Sequence, residues 1–279
     1  MAELFRAFFF KLRKDLTFRI TLIVGGGVAI LMMLLYMAID GKGGHYYCSG
    51  NNLFVTSFNP AQNFGLAIPI NLITFTVTEF SFGIIRNKII AGNSKFKIYI
   101  SLFLTGLVFS LSLLFVYVGF STLLGTIVGG FNPNGRAVLG LTGIGMTYIS
   151  GDFLWKFLIA NIFVYITFTS VTIFFACLLR NVGPCIPITI LFPIILCTVV
   201  PLITQIPDVK NAVGDSLLYL NPFQVIGSPE ATVVSTEYIW ASYLSISNKQ
   251  MIATTICNVL WTVAFTGFGA LIFVKRDVK

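Results

Sequence analysis

The sequence predicts an all-α membrane protein. It has six transmembrane helices, an N-terminal amphipathic helix in the membrane interface, a short cytoplasmic helix after the second span, and a partly re-entrant outer segment before the last. Three observations predict this. Of 279 residues, 18 are basic and 10 acidic, so 10% are charged, against about 25% in a soluble domain. Hydrophobic residues make up 56%, with 28 Phe and a mean hydropathy of +0.90. Apolar runs of bilayer length, roughly 20 residues, recur along the chain with basic residues at their ends. A soluble fold of this composition would expose large apolar patches. The composition also excludes a disordered chain, a collagen and a disulfide scaffold.

Residues 3–16, ELFRAFFFKLRKDL, come first. At 100° per residue Leu4, Phe5, Phe8, Phe9, Leu12 and Leu16 share one face, with Arg6, Lys11, Arg13 and Lys14 on the other. This pattern fits a helix lying in the inner interface; the alternative is a basic flank that only sets orientation. The spans follow at about 18–39, 64–85, 98–122, 153–179, 186–204 and 251–274, and the third has room to run on toward Gly129. The first is too long and lacks the cleavage site for a signal peptide, so it reads as a retained anchor. Its Gly25-Gly26-Gly27 run reads as a place for close helix packing. The fifth contains Pro187, Pro193 and Pro201, which a membrane helix tolerates when neighbours satisfy the freed carbonyls.

With both termini in the cytoplasm, 13 of the 18 basic residues lie inside and Lys42, Arg136, Lys156, Lys210 and Lys249 lie outside, as the positive-inside rule requires. Between spans two and three, Ile84-Ile85-Arg86-Asn87-Lys88-Ile89-Ile90 forms an apolar-basic-apolar block, and Asn93 or Ser94 can cap the third span. The block reads as a helix that docks on a soluble partner, its isoleucines filling an apolar groove, or as an ordinary basic loop. Residues 205–250 are the longest polar segment, with an apolar middle, SLLYLNPFQVIG. Either two short helices dip into the outer leaflet there or the segment is a plain folded loop.

Glu79 is the one acidic residue well inside a predicted span. It pairs either with a cation of the N-terminal helix, tying that helix to the loop, or with Arg86 or Lys88. Asn71, Thr74, Thr78 and Ser81 form a polar stripe on span two, facing a partner helix or a water-filled path. The five cysteines form no CxxC pair, Cys48 alone lies in a polar loop, and His45 is the single histidine; no metal site is expected. No P-loop, HExxH or GxSxG occurs, and no catalytic constellation is evident. No basic stripe with interleaved aromatics suggests nucleic acid.

The six spans, the amphipathic start and the E-x3-G-I-I-R-N-K-I-I-x-G-x-S pattern over residues 79–94 resemble the type-two permeases of ATP-binding-cassette exporters. Glu79, Gly83, Arg86, Asn87, Lys88, Gly92 and Ser94 are the matching positions, and Tyr219-Leu220-Asn221-Pro222-Phe223 is similar to an Asn-Pro element before the last span. The resemblance implies a single permease domain over residues 1–279, a second permease subunit, and soluble ATPase subunits that hold the ATP and magnesium. Ile84–Ala91 would be the coupling helix, with Ile84, Ile85, Arg86, Asn87, Lys88, Ile89 and Gly92 as its working residues. Asn71, Thr74, Thr78, Thr189 and Thr198 would line the substrate path, and Tyr219, Asn221, Pro222 and Phe223 the outer gate. The polar segment 205–250 is far shorter than the roughly 150–200 residues of an ATPase domain, so ATP-driven work needs a separate chain. The implied activity is export, across the plasma membrane, of a hydrophobic or amphipathic peptide or drug-like compound. A sensor or anchor without transport, and a channel or secondary transporter, are the competing expectations.

Overall fold

The computed structural model describes residues 2–40, 48–57, 67–132, 136–138, 146–149, 151–204, 206, 221–222, 229–230, 241–244 and 248–276. Helices carry the architecture. Among the described residues five are long and apolar enough to cross a bilayer, and a sixth span results if one bent pair counts as a single crossing.

Helix α1 (Ala2–Lys14) buries Leu4, Phe8 and Leu12 at spacings of four and leaves Arg6, Arg13 and Lys14 exposed, the one-sided pattern of an amphipathic helix. Asp15 ends it and starts α2 (Leu16–Asp40), its carboxylate accepting from the Thr17 amide at 3.0 Å as an N-cap does. Both helices pack against α6 (Lys95–Gly129). Most of α2 faces outward: Ile20, Ile23, Val24, Leu31, Leu34 and Leu35 are exposed. Added methyl groups at Gly26 and Gly27 would meet nothing within 4 Å. These two glycines therefore do not serve close packing within the chain, contrary to expectation.

Helix α6 is capped by Ser94, whose hydroxyl accepts from the Lys97 amide, and closes at Gly130 with φ 73°. Its 35 residues extend about 52 Å at 1.5 Å per residue, well beyond a hydrocarbon core of about 30 Å. The overhang meets α3 (Gly50–Ser57), a short helix the hydropathy pattern does not announce. Gly125 permits that approach, since a Cβ there would lie 2.7 Å from Leu53 Cδ1. Asn51 completes the contact by bonding the Asn132 backbone through both its amide nitrogen and its oxygen. Cys48, expected in a polar loop, is fully buried beside α3.

Span two departs most from expectation. Where the sequence pattern runs the span to about residue 85, α4 (Ala67–Ser81) ends at Ser81, and the expected short helix follows as α5 (Ile84–Ile90), bent by 55° from α4 across Phe82-Gly83. At 15 residues, α4 reaches only about 22 Å. Helix α7 (Gly151–Leu179) is the central element, packed on α4, α6, α8 (Val182–Thr204) and α9 (Asn248–Lys275). Arg180 in the left-handed region ends α7, and the Asn181 side chain accepts from the Gly183 amide to start α8. Four short strands join the connections before α7 and α9 in the order β1-β2-β4-β3: β1 (Arg136–Val138), β2 (Met146–Ile149), β3 (Pro229–Glu230) and β4 (Ala241–Leu244). β2 and β4 run parallel, with Met146 opposite Ala241; the other two pairs are antiparallel. The two short helices considered for residues 205–250 fall largely outside the described residues.

The ends of α6, α7 and α9 are tied together. Lys95 donates to the carbonyls of Val274 and Arg276, and Arg276 donates to that of Leu178. Nearby, Gly269 of α9 lies against fully buried Tyr99 of α6. A Cβ at Gly269 would overlap the Tyr99 hydroxyl and come within 2.8 Å of its Cζ. Gly269→Ala should therefore destabilise the bundle by about 1–3 kcal/mol, the usual cost of overpacking. The thermal midpoint in detergent should fall, and Tyr99→Leu should restore part of it. An unchanged midpoint would mean that the ring moves aside freely.

Candidate functional site

Two glycines frame α5. Gly83 takes φ 66° and Gly92 φ 86°, conformations that other residues adopt only with strain. The Asn87 amide reaches back to Gly83 O to restart the helix, and Gly92 N to Ile89 O closes it. Seven residues cannot hold a helix alone, so side-chain contacts must fix α5.

Glu79 supplies the main one. It is fully buried, and each carboxylate oxygen takes a different lysine: Oε1 takes Lys11 of α1, and Oε2 takes Lys88 of α5 at 3.1 Å. The N-terminal-helix cation and the loop cation are thus bound at once, while Arg86 points outward. Lys88 Nζ also sits 3.1 Å from the centre of the Phe8 ring, a cation–π contact that strengthens when desolvated. Lys11 Nζ lies 5.6 Å from the Phe75 ring. One carboxylate therefore binds α1, α4 and α5 together. Arg180 stands 5.0 Å from the Phe80 ring on the same side, its pKa lowered by burial and then by Arg276.

The other coupling residues divide by face. Ile85 is fully buried in the chain's own core, so it is not available to a partner's groove as the sequence suggested. Ile84 and Ile89 are half-buried. Arg86, Asn87 and Gly92 are exposed, and so is Ile90, at 74%.

Of the five path residues, three come together. Asn71, Thr74 and Thr78 line one crevice of about 400 Å³ between α1, α2 and α4. Their side chains are anchored locally: Thr74 donates to Ile70 O, Thr78 to Phe75 O, and Asn71 to Ala67 O while accepting from the Thr21 hydroxyl. Thr189 and Thr198 do not join them. Thr189 is buried against Cys185, and Thr198 is exposed with its hydroxyl on its own helix. Of the gate residues, Asn221 and Pro222 are buried, and Asn221 donates to Leu196 O of α8 at 3.2 Å. Tyr219 and Phe223 lie outside the described residues.

A polar seam between α7 and α9 was not anticipated. Thr167 bonds Asn258 Oδ1 at 2.8 Å and meets Thr262, and Ser170 meets Thr266 at 2.9 Å. Thr169 adds a bond to Ser110 of α6 at 2.6 Å. The readable signal was Asn258, Thr262 and Thr266 at four-residue spacing. Each such bond is worth about 0.6 kcal/mol in a membrane, so the seam reads as an assembly feature.

Among the described residues no group of His, Cys, Asp or Glu could hold a metal ion. No family model, curated protein or solved structure matches the chain. What the site offers chemically is a cation-bridged carboxylate, an exposed helix face and an amphipathic crevice.

Proposed function

We propose that this chain is the permease subunit of an ATP-driven exporter in the plasma membrane, working with a second, identical or related permease and with soluble ATP-binding-cassette subunits. The observation that carries the reading is the double engagement of Glu79 by Lys11 and Lys88. It joins a short exposed helix to a span and to the amphipathic helix. A push on the Arg86–Asn87–Ile90 face of α5 is passed by Lys88 to Glu79, by Glu79 to Lys11, and so to the wall of the crevice that holds Asn71, Thr74 and Thr78. ATP and magnesium belong to the partner; this chain transmits the motion.

Both termini are cytoplasmic in this reading, since that side then holds most of the basic residues. Leu196 is the fifteenth residue of α8, about 21 Å from its start. Asn221, bonded there, would lie at the depth of the outer half of the bilayer, which supports a partly re-entrant outer segment acting as a gate. The crevice, lined by both lysines and phenylalanines, favours an amphipathic cargo.

The experiment is affinity purification of the tagged full-length chain from its native membranes in mild detergent. A chain carrying a G-x4-G-K-[ST] motif should be recovered in near-equal amount, with Mg-dependent ATP hydrolysis in the eluate. Recovery without such a chain, together with ATP-independent flux by the purified protein, would favour a channel or secondary transporter.

A further inference from the structure

We infer that the crevice between α1, α2 and α4 binds an anionic glycerophospholipid of the inner leaflet. This does not rest on the exporter reading. The argument is complementarity. One wall carries Lys11 and Lys14. Lys14 is exposed, its Nζ 4.4 Å from the Phe10 ring, with no carboxylate partner among the described residues. Lys11 gives one of its three donors to Glu79 and keeps 41% of its side chain exposed. Of the charged residues in the lining, Lys11 and Lys14 outnumber Asp15, which already spends one oxygen on the Thr17 amide. The crevice is therefore net positive.

The lining is also aromatic, with Phe18, Phe75, Phe82 and Phe109. Phe82 is 74% exposed at the α4–α5 bend. The exposed apolar face of α2 begins at Ile20, two residues after Phe18 of the lining, and continues at Ile23. A ligand seated here must offer an anion to α1 and a long apolar tail that leaves along α2. A free phosphate lacks the tail, and a neutral lipid lacks the charge. The phosphodiester sits against Lys14 and Lys11, and one acyl chain lies over the phenylalanines. The oxygens of Thr74 and Thr78, whose hydrogens are committed to their own helix, remain free to accept from headgroup hydroxyls. The volume of about 400 Å³ lies in the range of ligand sites, roughly 300–1,000 Å³; it suits a headgroup and the first part of one chain.

The test uses the purified, delipidated full-length protein in a neutral detergent, titrated with dioleoyl phosphatidylglycerol or dioleoyl phosphatidylcholine and read by native mass spectrometry. The expected result is one tightly held phosphatidylglycerol, preferred at least tenfold over phosphatidylcholine. Lys14→Glu, at an exposed position outside the Glu79 bridge, should weaken it by roughly thirtyfold, the size of a charge reversal at a lipid-facing basic site. Lys97→Glu, exposed on α6 and outside the crevice lining, should leave it within about twofold. Equal affinity for the two lipids would overturn the inference. So would an equal loss in Lys97→Glu, which would mean diffuse attraction rather than a site, or displacement of the lipid by equimolar inorganic phosphate.

Discussion

Glu79→Ala should destabilise the protein by about 3 kcal/mol. The substitution removes the only carboxylate between Lys11 and Lys88. Lys88, with 18% of its side chain exposed, is left as an uncompensated, largely buried charge, and breaking such a pair costs about 3–5 kcal/mol. Lys11, with 41% exposed, can turn to water, which places the total near the lower end. Lys88→Met should cost less, because Glu79 keeps Lys11. Lys11→Met should cost least, about 1 kcal/mol, because the better-buried half of the bridge survives. Thermal midpoints in detergent give the order, and limited proteolysis should show α1 released first in Glu79→Ala. Equal losses for Lys11→Met and Glu79→Ala would mean that Lys88 contributes nothing to the link.

Two of the four isoleucines of α5, Ile85 and Ile90, should behave oppositely. Ile85→Asp puts a carboxylate where the side chain is fully buried, at a cost of several kcal/mol, so membrane yield should collapse. Ile90→Asp changes a residue that is 74% exposed, and yield and midpoint should hold. If α5 docks on an ATPase, Ile90 is its apolar anchor. Losing such an anchor costs about 2 kcal/mol, roughly thirtyfold in affinity, and ATPase recovery should drop accordingly. Normal recovery with Ile90→Asp would remove α5 from the interface.

The long helices were legible because a run of about 20 apolar residues has few other uses. Extension of the third to Gly129 and its cap at Ser94 followed from the same local chemistry. The short helix over Ile84–Ile90 was legible, but the point at which span two ends was not. Apolar residues continue through Phe80, Phe82, Ile84 and Ile85, and composition cannot register that Gly83 adopts a left-handed conformation. The facing of α5 was hidden for a related reason. Its isoleucines flank the polar triplet symmetrically in sequence, but Lys88 must turn toward Glu79. Ile84 and Ile85, four and three positions earlier, share that face, which leaves Arg86 and Ile90 outside. Helix α3 and the four strands are short elements that depend on neighbours such as α6 rather than on a period of their own. The seam of Thr167, Ser170, Asn258, Thr262 and Thr266 needed knowledge of which two helices meet.

The central claim is that the α5 face meets an ATPase, and site-directed cross-linking tests it most directly. A photo-reactive residue at Ile90 and another at Phe131, which is exposed at the far end of α6, would be irradiated in native membranes and the adducts sequenced. Ile90 should capture a chain bearing a G-x4-G-K-[ST] motif, and Phe131 should not. No such adduct at Ile90, or the same adduct from both positions, would contradict it.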